Sequence, residues 1–530
     1  VFHVAAVIGR RVRRLRGKFA GMRPAILAVI ALGCGGRASP GAPQAAAPAA
    51  AEFPATRWAP ARPSYLLASR TLADAQRSLR DAIDLLGIAA DVDLRDATRA
   101  VQDLLAVDAL HAEPLAAIGV DLHGSWAMFS EDLSPTMVVH LAAPDQMTAF
   151  LDHQRERGLV TQSVIVDKTE VFSATLVTGV TIGWAIVGDW MWLHLALPIA
   201  YDNGASWFAA SHGSHAAAWG DDWAWAQRAA GTAANLVGFL DLHGAIATAV
   251  ARVPGAIACA KLAEPVRRVA VAVEGDEHRF AARIALDIGS TAAITGKLLP
   301  APSGWDATAA HAPIAAQWNL DLGYVRSAVA PCFTAAGSQL PSTDETSVRT
   351  VRGVLLGFDP DTTSGSGAVA LDIGNPAFLE RQLDRIPLRR TLERARTFGA
   401  HKGFSIDIPF SVTVEYVLEH DLAIAALGEG VIARLVDPQP RPQPRPALGP
   451  GPGPGRPAAT PIFALDVAPP AMSAAAWEIV VNTVVERQLS GTPSPAAKRV
   501  AEHLMQWRDG HVAVTADATE IVLTASGARR

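Results

Sequence analysis

The chain has 530 residues, 50% of them hydrophobic and 18% charged, with 46 Lys and Arg against 51 Asp and Glu for a formal charge of −5. That much apolar residue excludes a disordered protein, and the small negative charge excludes a dedicated nucleic-acid binder. At roughly 100–200 residues per domain the length predicts two to four domains, with cores large enough to stand without disulfide staples.

Residues 1–33 carry seven basic residues (Arg10, Arg11, Arg13, Arg14, Arg16, Lys18, Arg23) and no acid, followed by an apolar run from Ala25 to Leu32 and then Gly33-Cys34. A cationic segment, a short apolar stretch and small residues form the three-part pattern of an export signal. The apolar run is too short for a permanent span, which needs about 20 residues. Met22 would begin a leader of ordinary length, leaving residues 1–21 as an upstream extension.

Ala31-Leu32-Gly33-Cys34 resembles the lipobox of bacterial lipoproteins. The resemblance covers the first 34 residues. It departs from the family at Ala31, where Leu is usual, and at Leu32, where a small residue is more common. It implies diacylation of the Cys34 thiol, cleavage after Gly33 and acylation of the new amino terminus. Gly35 is not the Asp associated with inner-membrane retention, so the resemblance implies the outer membrane where a cell has two. The alternative is an ordinary cleaved signal, with Cys34 incidental. Removing the leader leaves 39 Lys and Arg against 51 Asp and Glu, a charge of −12. Such a surface is repelled by nucleic acid and by anionic headgroups, so attachment is expected through lipid at Cys34.

The Ala, Gly and Pro of residues 34–57 predict a tether. Thr71-Leu72-Ala73-Asp74 is similar to a capping box opening a helix that Gly87 stops, and a second helix is expected from Asp96 to Val107. Thr136 to Ala142 reads as a strand, Asp145 to Arg157 as a helix, and Gln162 to Asp167 and Val171 to Leu176 as strands. Val180 to Val187 and Trp190 to Ala196 flank Gly188-Asp189 as a hairpin. Farther on, Gly403 to Leu418 and Asp421 to Leu427 read as strands, and nine of the 36 prolines fall in residues 438–460, a linker.

An apolar-Asp-apolar echo recurs at Asp241, Asp287, Asp321, Asp372 and Asp466. Its spacing is too uneven for a solenoid. Together these features predict an α+β fold of mixed, largely antiparallel sheets with helices packed on them, built from duplicated modules. The expected divisions are 58–210, 222–437 and a small segment 461–530 that either folds alone or completes the second module. The echoed Asp residues are expected to cap helices or polarise strand ends.

Seven of the 13 Trp lie within residues 184–225. On the predicted strand Trp190, Trp192 and His194 share one face, which either packs under a helix or forms a ligand platform. His212, His215, Asp221 and Asp222 are weak candidates for a metal, since Zn²⁺ takes imidazole and carboxylate ligands. With Cys34 lipidated, Cys259 and Cys332 remain to pair in an oxidising compartment or to sit as separate buried thiols. No Gly-x-Ser-x-Gly elbow, phosphate loop, dinucleotide fingerprint or His-Glu-x-x-His occurs. No cofactor and no catalytic residue is therefore predicted. The expected function is that of an exported, lipid-anchored cell-envelope protein that binds a partner without catalysis. The alternatives are a hydrolase using the His212 to Asp222 region and a carrier of a hydrophobic ligand on the Trp-bearing strand.

Overall fold

The computed structural model describes residues 52–78, 112–130, 134–156, 159–175, 181–196, 205–212, 219–231, 234–242, 260, 264–276, 278–300, 305–335, 348–360, 364–384, 389–408, 412–419, 421–436, 460–486 and 495–530. The expected leader, Cys34, the helix at Asp96 to Val107 and the proline-rich stretch lie outside them. The chain divides into two compact units, one within residues 23–288 and the other within 289–530.

The first unit holds ten strands: β1 (Tyr65–Ser69), β2 (Trp126–Ser130), β3 (Thr136–His140), β4 (Gln162–Val166), β5 (Thr169–Thr175), β6 (Thr181–Val187), β7 (Trp190–Ala196), β8 (Leu236–Leu240), β9 (Arg268–Gly275) and β10 (Arg279–Asp287). Their order across the sheet is β4-β5-β6-β7-β3-β2-β1-β8-β9-β10, antiparallel at every step. Two-residue turns close the β4–β5 and β6–β7 hairpins, with Asp167 at φ 48°, Lys168 at 69° and Gly188 at 57°. Positive φ matches the twist of the strands these turns join. Helices α1 (Pro144–Glu156), α2 (Ser206–His212) and α3 (Gly220–Ala230) accompany the sheet.

The second unit also holds ten strands: β11 (Ile314–Trp318), β12 (Val348–Asp359), β13 (Ser364–Ile373), β14 (Glu393–Phe398), β15 (His401–Ile408), β16 (Val412–Leu418), β17 (Leu422–Leu427), β18 (Phe463–Val467), β19 (Trp507–Ala516) and β20 (Glu520–Arg529). They run β14-β15-β16-β17-β13-β12-β11-β18-β19-β20, again antiparallel throughout. Helices α4 (Leu322–Ala335), α5 (Pro376–Leu383), α6 (Val431–Val436), α7 (Ala474–Glu486) and α8 (Pro495–Leu504) accompany them. One apolar cluster joins Trp305, Val354, Ile424 and the α6 residues Val431, Ile432 and Leu435. A second joins Trp477, Val481, Ala497 and Ala501 of α7 and α8 to Ile314, Leu355 and Val467 on the strands.

The observed sheets correct several expectations. The boundary expected between 210 and 222 falls instead after Ile288, because β8 pairs with β1 and draws β9 and β10 into the first sheet. The segment 461–530 does not fold alone, since β18 pairs with β11. The tether expected to reach residue 57 ends by Phe53, which is 1% exposed and leads into a buried 3₁₀ turn, Pro54–Trp58. Gly403 to Leu418 is two strands, paired in register from Gly403↔Val417 to Ile408↔Val412. The echoed Asp residues do local work. Asp321 caps α4 by accepting the N–H groups of Gly323 and Tyr324, and Asp287 pairs with Arg268.

Arg352 on β12 is the most buried charge described, at 0% exposure. Its guanidinium donates to Asn319 Oδ1 (2.9 Å), Thr350 Oγ1 (3.0 Å), Asp372 Oδ2 (2.9 Å) and the carbonyls of Leu299 (3.0 Å) and Pro300 (2.9 Å). One side chain thus ties three strands' worth of contacts to the segment entering the unit. Removing it strands these acceptors, so Arg352→Ala is expected to cost about 3–5 kcal/mol of unfolding free energy. Arg394, whose side chain is 69% exposed beside Asp407, is the contrast: Arg394→Ala should cost under about 1 kcal/mol. Urea unfolding of both variants, with equal losses, would refute the pinning role.

Candidate functional site

Strand β7 alternates as a central strand must, sending Trp190, Trp192 and His194 to one face and Met191, Leu193 and Leu195 to the other. It lies between β6 and β3. The Trp face is closed. Trp192 is 0% exposed, and Trp190 and His194 are also buried. The 3₁₀ turn places Trp58 edge-on to Trp192 at 4.9 Å between ring centroids. Helix α2 places Phe208 edge-on at 5.5 Å, and the His212 ring lies flat on Phe208 at 4.9 Å and on Trp58 at 6.0 Å.

Trp207 of the same helix lies flat on His194 at 4.8 Å, with 3° between the ring planes. Glycine at 183 makes this possible, because a Cβ there would come within 2.8 Å of the Trp207 ring. His194 Nδ1 is 2.8 Å from Thr136 Oγ1, its register partner on β3. The indole N–H groups of Trp58, Trp192 and Trp223 are buried without a hydrogen-bond partner. A buried donor left unpaired costs about 1–3 kcal/mol.

At the rim, the Arg57 guanidinium lies 4.6 Å from the Trp58 ring and 5.1 Å from the Trp190 ring. The same Trp190 ring meets His140 edge-on at 5.1 Å. His140 Nδ1 is 2.8 Å from Asp121 Oδ2, and Asp121 also accepts the His123 N–H at 2.9 Å. Partial burial raises the Asp121 carboxyl, but the His140 and His123 hydrogen bonds outweigh it and hold it below the usual range. A guanidinium and an oriented imidazole on one indole make a patch suited to an anionic group.

The metal candidates are not gathered. His212 sits in the aromatic stack, while Asp222 at the start of α3 lies 3.7 Å from Arg268. Burial there pushes the Asp222 carboxyl up, against the pull of Arg268. Asp221 is exposed on the same first turn, and His215 lies outside the described residues. Among the described residues no group of three or more His, Cys, Asp or Glu side chains is arranged to hold a metal ion. Cys332, on α4, is held in a disulfide, while Cys259 and Cys34 lie outside the described residues.

Sequence reasoning missed the contribution of residues 53–58 and the Asp121–His140 pair. The only signal for the first was Phe53 and Trp58 standing as large rings in an Ala- and Pro-rich stretch.

No protein-family profile matches the chain, and no curated protein matches it in sequence. Among solved structures it is similar to TP0453 in its crystal forms III, IV and I, at 7%, 8% and 7% identity. These cover 44%, 45% and 44% of this chain and 79%, 81% and 79% of TP0453, with TM-scores of 0.24, 0.26 and 0.24.

The burial of Trp192 makes two substitutions diverge. Trp192→Ala opens a cavity in the core and is expected to cost about 3–5 kcal/mol. Trp192→Phe keeps the edge-on contacts and removes the orphaned N–H, so its cost is expected to be about 1 kcal/mol or less. Urea unfolding measures both. A small loss for Trp192→Ala would show that the ring face is open rather than packed.

Proposed function

We propose that the chain is a lipid-anchored cell-envelope protein, built as two copies of one α+β module, that acts by binding a partner rather than by catalysis. The observation that carries the anchor is the basic segment, short apolar run and Gly33-Cys34 of residues 1–34. The disulfide at Cys332 supports it, because such bonds persist in oxidising compartments. Among the described residues no helix is long and apolar enough to cross a membrane.

The two-module reading rests on register. Moving each strand label of the first unit ten places on reproduces the strand order of the second. Specific contacts recur with it. Leu141 N donates to Asp189 O at 2.8 Å and Ile373 N to Asp421 O at 2.9 Å. Phe172 stacks on Trp184 at 5.6 Å and Phe404 on Tyr416 at 5.4 Å. Pro144 and Pro376 both open a helix at its first position. Each of these pairs is 232 residues apart, so the stretch from 141 to 189 aligns with 373 to 421 without a gap. The final hairpins agree as well. Asp276 accepts the N–H groups of His278 and Arg279, and Asp517 those of Thr519 and Glu520, at 2.7–3.0 Å.

A binding role is supported by how the conspicuous side chains are used. The His and Trp residues that suggested hydrolysis or an open ligand platform are committed to ring packing. What the first module adds at its rim is the Arg57 and His140 patch on Trp190.

Growth with a clickable fatty acid tests the anchor. Wild type is expected to take up label and sediment with membranes, whereas Cys34→Ala loses both while keeping its disulfide at Cys332. No label on wild type, or equal label on Cys34→Ala, would overturn the proposal.

A further inference from the structure

Strand β4 is an edge. It pairs with β5, and no other described strand pairs with it. Four of its five residues are exposed, with Val164 at 50% and Ile165 at 75%, and Val160 just before it is at 82%. An edge of this kind presents a row of backbone N–H and C=O groups, and proteins normally guard it with charge, proline or a bulge. Here no charged residue and no proline lies between Arg157 and Asp167.

The second module shows what the guarded form is. Its strand β14 also pairs with a single described neighbour, and Arg394↔Ser405 there matches Gln162↔Ser173 in β4. The exposed positions that are Gln162 and Val164 in β4 are Arg394 and Arg396 in β14. The two modules therefore differ at the residues that decide whether an edge accepts another strand.

Charge selects the occupant. In a two-fold pairing the same strand meets itself, so every charge near the axis is opposed by its own copy. Self-pairing of β14 would bring arginines together. Self-pairing of β4 opposes only Gln, Ser, Val and Ile, with the valine and isoleucine side chains covering one another on both faces. We propose that β4 pairs antiparallel with β4 of a second copy of this chain, joining two sheets across a two-fold axis. The proposal rests on the register match between the modules and is independent of the lipid anchor. A five-residue edge gives an interface at the small end of the range, so the dimer is weak and dissociates on dilution.

Sedimentation equilibrium of the Cys34→Ala chain tests it over a dilution series. The mass is expected to rise from 55.6 kDa toward twice that value as concentration increases. Gln162→Arg and Val164→Arg, which each copy the β14 residue into an exposed site, are expected to remain at the monomer mass with an unchanged circular-dichroism spectrum. If one variant fails to fold, the other decides. A chain that stays monomeric at every concentration, or folded arginine variants that associate as the parent does, would overturn the proposal.

Discussion

Each half of this protein depends on one short strand that must find two distant neighbours. β1 has five residues, and it pairs with β2 on one side and with β8 on the other, some 170 residues along the chain. β11 stands in the same position between β12 and β18. These central strands satisfy their backbone groups on both edges, so everything between the partners is looped out and returned. The approach is close enough that β8 needs a glycine: a Cβ at Gly238 would sit 2.6 Å from the Leu66 carbonyl oxygen. Closing a long loop costs little more than closing a moderate one, since the entropy grows only with the logarithm of length. That is why a proline-dense insertion is tolerated between α6 and β18, where the chain is already committed to a long return.

With the pairing fixed, the two halves fill equivalent core positions differently. On the strand between the hairpin partner and the centre, Trp190, Trp192 and His194 of the first module correspond to Leu422, Ile424 and Ala426 of the second. Ile424 and Ala426 are buried, as are their counterparts. The fold therefore asks only for buried side chains there, and aliphatic ones suffice. The aromatic version retains orphaned indole donors at Trp58 and Trp192 that the aliphatic version avoids. Polar groups diverge in the same way. His140 and Asp372 end matching strands, yet His140 pairs with Asp121 and Asp372 with the buried Arg352.

These arrangements explain what the sequence could and could not reveal. Strands β3 to β7, α1 and the Gly188 turn were legible because alternation and turn residues are local properties. The module boundary was not, because the pairing of β1 with β8 leaves no composition signal. Gly403 to Leu418 was read as one strand since its alternating apolar residues continue across the bend, although Pro409 marked the interruption. The Trp190, Trp192 and His194 face was correctly placed on one side of a strand. Whether it was core or surface depended on Trp58 and α2, whose positions are fixed by tertiary contacts alone.

Duplication gives a physical reason for the divergence. Each module carries its own central three strands, so neither relies on the other's side chains to satisfy its backbone. A substitution that weakens one core, such as an indole with an unpaired N–H, is then charged against one half's stability and leaves the other half as it was. The first module has used that latitude for the aromatic cluster and its cationic rim at Arg57 and His140. The second has spent a buried arginine on holding its own entry segment. In a mature chain with a net charge of −12, a cationic patch on an indole is a local reversal of the surrounding field. An anionic group meeting it gains more from that contact than from any neighbouring surface.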